Sequence, residues 1–247
     1  MKTIYMLWKR ELKRHFRSRL EVVANLVQPL LYLLTLGFGF TPVFEHAGRG
    51  SYIQFMTPGI VGMNVLFVAA FAGMGVLWDR QYGLKQALVA PVPRFHVMLG
   101  RTLGSATAAV AQGLFVLIMC AAMGFRPSGF VSLLAGVLVM SCIAVAFAGL
   151  GTAIGSVLKS IRTFSAVISF AISPLTFVSG AFTTLEDLPA PLRAITSANP
   201  FAYGVDGLRA TLNGMSHFGL DRDVAVLLVT AAVFTSIGAW AFSRIQL

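Results

Sequence analysis

Charge is what this sequence has least of. Only 11% of its 247 residues are Asp, Glu, Lys or Arg, against about 25% in an ordinary globular domain. A soluble surface built from so few charges would be too apolar to stay dispersed. The shortage is also uneven, since Val131 to Leu158 contains no Asp, Glu, Lys, Arg or His at all. Cysteine is nearly absent. Cys120 and Cys142 both fall within apolar runs, which excludes a disulfide framework and a zinc pattern and leaves two small hydrophobes. There is no Gly-x-x-x-x-Gly-Lys-Ser/Thr phosphate loop, Gly155 to Ser160 being only a fragment of one, and no His-Glu-x-x-His pair. The first twenty residues carry seven basic side chains and no apolar core of the length a secretory leader needs.

Apolar residues fill the space instead, at 57% of the chain. About 20 apolar residues cross a bilayer core as a helix, and six runs qualify: Val22–Phe40, Gly59–Trp78, Leu99–Met123, Val131–Leu158, Phe164–Phe182 and Val224–Phe242. These runs are continuous rather than alternating in short segments, so helices are expected and a β-barrel is not. With the N-terminus placed in the cytoplasm, fourteen Lys and Arg fall on inner segments and five on outer ones. That bias puts both termini inside. The net charge of +10 is thereby explained by topology and anionic lipid, and nucleic acid is not an expected partner. The span interiors hold no Asp, Glu, Lys or Arg, which argues against an intramembrane enzyme or a proton-driven pump.

Residues 1–21 have a helical period. Ile4, Leu7, Trp8, Leu12 and Phe16 share one face, while Lys9, Arg10, Lys13, Arg14 and Arg17 fill the rest. A basic helix of this pattern lies in the membrane interface, with a solvated basic tail as the alternative. Gly100, Gly104 and Ala108 in the third span, and Gly149, Gly151 and Gly155 in the fourth, suit close packing between helices. Uncharged polarity at depth comes from Asn25, Gln28, Asn64 and Gln112. Each either bonds across helices or lines a passage, with packing weighted about two to one. Pro29 and Pro174 break the backbone ladder of spans one and five. The outer loops are expected at Thr41–Pro58, Gly124–Phe130 and Thr183–Asp223, the last broken by Pro189, Pro191 and Pro200. Asp206 and Arg209, three apart, have the spacing of an ion pair on one helix face.

Between spans two and three lies a polar stretch, then a short helix ended by Pro91 and Pro93. Leu84, Leu88 and Val89 would face one way, and Lys85 and Gln86 the other. Such a helix is either a mechanical coupling element or an inert loop. The run Asp79-Arg80-Gln81-Tyr82-Gly83, followed by Leu88 to Arg94 through Pro91, resembles the cytoplasmic coupling region of ABC-type-2 exporter permeases. A second run is similar to that family's hallmark: Ser173 to Phe182 with Pro174 and Gly180, then Leu188-Pro189, Asn199-Pro200, Tyr203 to Arg209 and Gly214. The order and spacing of the two motifs carry the resemblance over nearly the whole chain.

The resemblance implies an all-α membrane protein forming one permease domain over 1–247. It would have six transmembrane helices, an N-terminal amphipathic interfacial helix (1–21), a coupling segment (79–98) and short re-entrant helices in an outer segment (183–223). It implies a bacterial inner-membrane exporter permease, with two permeases side by side and two copies of an ATP-binding subunit carrying Mg-ATP. Trp8, Arg10, Lys13, Arg14 and Phe16, with Asp79, Arg80, Tyr82, Gly83, Leu84, Lys85, Leu88, Pro91 and Arg94, would engage the ATPase. Pro174, Gly180, Phe182, Pro189, Asn199, Pro200, Asp206 and Arg209 would shape the outer segment, and Asn25, Gln28 and Asn64 the pathway. The chain itself would hold no cofactor and no metal and would not be an enzyme. The branch most similar is that of the daunorubicin-resistance and related drug or lipid exporters. A lipid-linked polysaccharide or lipo-oligosaccharide exporter is the neighbouring alternative, and a scaffold without ATP coupling the alternative from another class. Lys85-Gln86 departs from the family, where many members carry an acid.

Overall fold

In the computed structural model, residues 2–46, 50–81, 94–184 and 189–244 are described, and among them there are helices and no strands. The helices are α1 (Lys2–Arg17), α2 (Arg19–Tyr32), α3 (Phe38–His46), α4 (Tyr52–Phe71), α5 (Met74–Gln81), α6 (Arg94–Ala122), α7 (Phe130–Val157), α8 (Ile161–Phe177), α9 (Ala190–Ala198), α10 (Pro200–Asn213) and α11 (Leu220–Ser243). Five helical segments are long and apolar enough to cross a membrane: Arg19–His46, Tyr52–Gln81, Phe95–Ala122, Phe130–Val157 and Leu220–Ser243. The apolar α8 has only 17 residues, about 26 Å of helix against a hydrocarbon core of about 30 Å. The expected fifth span, Phe164–Phe182, therefore ends early as a helix.

Backbone chemistry explains the segment boundaries. Pro29 and Pro42 each lack an amide donor, and between them the first segment widens into a π-helical stretch over Leu33–Gly37. Helix continues to His46 and resumes at Tyr52, so helix covers most of the loop expected at Thr41–Pro58. Pro58 sits inside α4 rather than at its edge. The second segment breaks at Ala72–Gly73, where a Cβ on Gly73 would meet the backbone of Gly151. Gly151 and Gly155 lie in turn against the backbones of Ala70 and Gly73. These small residues let α4 and α7 touch main chain to main chain, as the fourth-span glycines foretell.

Helix α4 is the centre of the molecule, buried along nearly its whole length, and it packs on α6, α7 and α10. Helices α7 and α11 run together, with Gly149 against Phe234 and Thr235, and Gly238 2.8 Å (from its would-be Cβ) from the Gly149 carbonyl. The outward faces are apolar. Val23, Val27 and Leu31 on α2, Phe170 and Phe177 on α8, and Val229, Val233 and Ile237 on α11 are all exposed, as suits side chains that face lipid.

Helix α1 packs lengthwise on α6. A Cβ on Gly100 would lie 2.9 Å from Leu7 Cβ and 3.0 Å from the Ile4 carbonyl, and one on Gly104 2.7 Å from Glu11 Cβ and 3.0 Å from the Trp8 carbonyl. Gly100 and Gly104 thus serve close helix packing, but their partner is the amphipathic helix rather than another span. The face of α1 that docks carries Ile4, Leu7, Trp8 and Leu12, with the carboxylate of Glu11 buried among them. Phe16, placed on the apolar face by its period, is 39% exposed together with Tyr5 and Met6.

Candidate functional site

One end of the bundle carries both ends of the stretch 82–93, and there the sparse charges of the chain converge. Asp79, in the last turn of α5, accepts from Arg10 Nη2 of α1 at 3.0 Å and from Arg101 Nη1 of α6. Glu11 lies 3.1 Å from Arg14 and 3.6 Å from Arg101. Asp79, Glu11 and Arg101 are buried, at 4%, 4% and 6% exposure. Burying any of these charges alone would be prohibitive, and together they neutralise one another. Arg80 next in sequence donates to the carbonyls of Ser156 and Leu158, both at 3.1 Å, and Gln81 to that of Lys159 at 2.9 Å. Those carbonyls belong to the C-terminal end of α7 and the turn after it, where a helix leaves acceptors without intrahelical donors. The α5 end of 82–93 is thus fastened to α1, α6 and α7. Tyr82, Gly83, Leu84, Lys85, Leu88 and Pro91 lie outside the described residues, as does the side chain of Arg94. Lys13 is exposed, and Trp8 donates from Nε1 to Thr107 Oγ1 at 3.0 Å.

From this cluster a cavity of about 740 Å³ extends along the flank of the bundle between α2 and α4. Glu11, His15 and Asp79 line one end, and Asn25, Gln28, Asn64, Tyr32, Met63, Phe67 and Phe71 line the rest. The three residues assigned to a pathway from sequence therefore meet in one cavity. Asn64 Nδ2 donates to the Asn25 carbonyl at 3.0 Å, while its Oδ1 is buried with no partner. It both packs and lines. Gln28 Nε2 donates to Tyr32 Oη at 3.2 Å. Gln112 is a structural tie instead: it meets His15 Nε2 at 2.9 Å and donates to the Val22 carbonyl at 3.1 Å.

The far end is built by the second motif. Asn199 caps α10 by accepting from Phe201 N at 3.0 Å, Pro200 occupies the first turn, and Gly214 ends the helix at φ 73°. The Asn199 amide also donates to the carbonyls of Leu175 and Val178, at 2.7 and 3.2 Å. These bonds satisfy the end of α8, one turn after Pro174, and Gly180 then turns the chain away at φ 76°. This is why the helix stops short of Phe182. Phe182 offers its carbonyl to Tyr52 Oη at 2.9 Å and its ring edge to Tyr32. Pro189 precedes α9 as its cap residue.

The expected pairing of Asp206 with Arg209 does not occur. Asp206 accepts from the amides of His217, at 2.9 Å, and Phe218, at 2.8 Å, and from Ser216 Oγ at 3.2 Å. Arg209 donates from Nη2 to the Gly180 carbonyl at 2.9 Å and stacks 4.4 Å from the centre of the Phe55 ring. Burial pushes its guanidinium below the ordinary range, and the charge of Asp206 pulls it back up. Both side chains are taken up by the turns they hold, so neither is left for the other. Asn199→Ala removes a cap and the donor to two carbonyls. We expect it to cost about 1–3 kcal/mol, read as a lower melting temperature of the solubilised protein.

A helical bundle of membrane length, with a flanking cavity and its charges gathered beside the ends of 82–93, has the build of a multi-pass membrane protein. The ABC-2 type transporter family model matches residues 2–213, and the chain belongs to that family: it is a permease subunit of an ABC transporter. It is 29% identical to the inner membrane transport permease YadH of Escherichia coli strain K12 over 92% of this chain and 90% of that one. It is 24% identical to nodulation protein J of Rhizobium leguminosarum bv. viciae over 93% and 86% of the two chains. Its counterpart in Rhizobium meliloti strain 1021 is 27% identical over 87% and 81%.

Proposed function

We propose that this permease moves a hydrophobic or amphipathic cargo, drug-like or lipid-like, outward across a bacterial inner membrane. Two copies of a separate ATP-binding subunit, carrying Mg-ATP, power it, and a second permease completes the passage. In this reading α8 and the turn after it make the sixth crossing, both termini are cytoplasmic, and α9 and α10 dip back into the outer leaflet. The observation that carries it is the cavity between α2 and α4. Its walls alternate amide groups (Asn25, Gln28, Asn64) with Phe67, Phe71 and Met63, and its mouth abuts the charge cluster. Such a lining suits a molecule with a polar head and an apolar body. Closure of the ATPases would push on 82–93 and shift α1, α5 and α6 together, because Asp79 and Arg101 tie them.

The test is purification of the full chain from its own membranes in mild detergent. An ATP-binding protein is expected to co-purify, and the isolated permease is expected to hydrolyse no ATP. Replacing Leu84 and Leu88 together with Asp should release that partner and abolish transport into vesicles. Retention of the partner by the double variant would overturn the assignment of 82–93, and a scaffold without ATP coupling would be indifferent to it. Absence of any ATP-binding partner from the intact complex would overturn the reading itself.

A further inference from the structure

At the far end of the bundle a second cavity, of about 460 Å³, lies between α3, α4 and the turn that follows α10. It shares no lining residue with the cavity beside α2. Phe44, Phe55 and Met215 make its apolar wall, and Ser51, His217 and Arg209 contribute polar groups.

Arg209 is the group here that lacks company. It is 7% exposed, and a guanidinium keeps its charge in proteins. Its Nη2 donates to the Gly180 carbonyl at 2.9 Å, and its plane lies 4.4 Å from the centre of the Phe55 ring. Nε is buried and has no partner. No carboxylate among the described residues comes within ion-pair distance of it. Asp206 lines the same cavity, but its oxygens accept from the His217 and Phe218 amides and the Ser216 hydroxyl. A buried cation without a counter-ion is costly. The cavity therefore has a place for a negative charge, and its satisfied acid does not fill that place.

The depth of the cavity says what brings the charge. Two membrane-length segments end here, Arg19–His46 and Tyr52–Gln81, with Phe44 in the last turn of one and Ser51 just before the other. The ends of spans lie at the level of lipid headgroups. Aromatic side chains gather at that level, and Phe44 packs on Tyr52 and Phe55 with ring centres 4.8 and 5.5 Å apart. Next to the cavity, Phe40 and Val43 of α3 are exposed, as is Met215 on its rim. A charged pocket opening on an apolar flank fits a molecule with an anionic head and hydrocarbon chains.

We propose that this cavity binds the head of an anionic phospholipid, with the phosphate on Arg209 and the acyl chains running along Phe40 and Val43. Arginine and phosphate make strong charge-assisted hydrogen bonds. A zwitterionic lipid brings its own cation and leaves the charge of Arg209 uncompensated. The site is separate from the cavity assigned to cargo, and it stands whether or not that assignment does.

The test needs no transport. The solubilised full chain, stripped of co-purifying lipid, is titrated with short-chain phosphatidylglycerol, and native mass spectrometry reads the tightest site. Arg209→Gln is expected to weaken that site on the order of tenfold. Met215 is 49% exposed, so the local charge can be changed there with Arg209 intact. Met215→Glu should weaken the site several-fold and Met215→Lys should tighten it. Phosphatidylcholine of the same chain length should bind all these proteins alike. Basic α1 also attracts anionic lipid, and Lys13→Ala should leave the tightest site unchanged. A tightest site that ignores both Met215 changes, or that Lys13→Ala removes instead, would overturn the proposal. So would inorganic phosphate filling the site as tightly as the lipid does.

Discussion

Replacing Asp79 with Asn is expected to destabilise the protein by about 3–5 kcal/mol, the range for removing one partner from a buried ion pair. The loss comes chiefly from Arg101, which is 6% exposed and would keep only Glu11 at 3.6 Å. Arg10 contributes less, because more than a third of its side chain faces solvent and its charge is screened there. The effect should reach beyond stability. Asp79 ties α5 to both α1 and α6, so its loss also frees α1 from the helix that ends at 82–93. Melting of the solubilised chain reads the first effect. Hydrogen–deuterium exchange of the α1 amides reads the second, since α1 is docked along α6. Lys13→Ala, at an exposed position of α1, should leave both unchanged. A D79N protein that melts with the parent would mean the cluster contributes no net stability.

Gly151→Val is expected to destabilise the protein by up to about 3 kcal/mol. Its Cβ would run into the backbone of Ala70, and main chain cannot rotate aside as a side chain does. The helices would have to separate, opening a contact that Gly73 and Gly155 also maintain. Overpacking typically costs about 1–3 kcal/mol, and a collision between two backbones belongs at the top of that range. The recovery of monodisperse protein from membranes, with its melting temperature, is the measurement. Gly39→Ala is the matched control: nothing lies within 4 Å of a Cβ there, and alanine is the better helix former. It should be neutral or slightly stabilising.

Much of this architecture can be read from the sequence because the bilayer simplifies the problem. Uncharged runs must be helices, and glycines spaced by four must admit another backbone, so the helices and the Gly149–Gly155 contact follow directly. Which backbone arrives is a different matter. Gly100 and Gly104 carry no mark of their partner, and α1 rather than a span occupies them. The buried member of α1, Glu11, was hidden by its neighbours, since a carboxylate among basic residues reads as part of a solvated face. Its place at four residues from Leu7 was the available signal. Asp206 misled for the opposite reason. A spacing of three suggests Arg209, but its partners lie ten to twelve residues downstream in a turn, and no local pattern announces them. Asn25, Gln28 and Asn64 line one cavity, but their polarity at depth fits packing as well as lining, and nothing in their spacing says that they meet.

The unequal burial of the helices has a mechanical meaning. Helix α4 with α7 and α11 is joined by backbone-on-backbone contacts and makes a stiff mast. Helices α2 and α8 stand beside it like staves, exposed along their lengths and held by few ties. Compliance is therefore concentrated in the two pieces that flank the mast. A push delivered at α1 would reach α2 through Ser18, a single non-helical residue, and α6 through the face on which α1 packs.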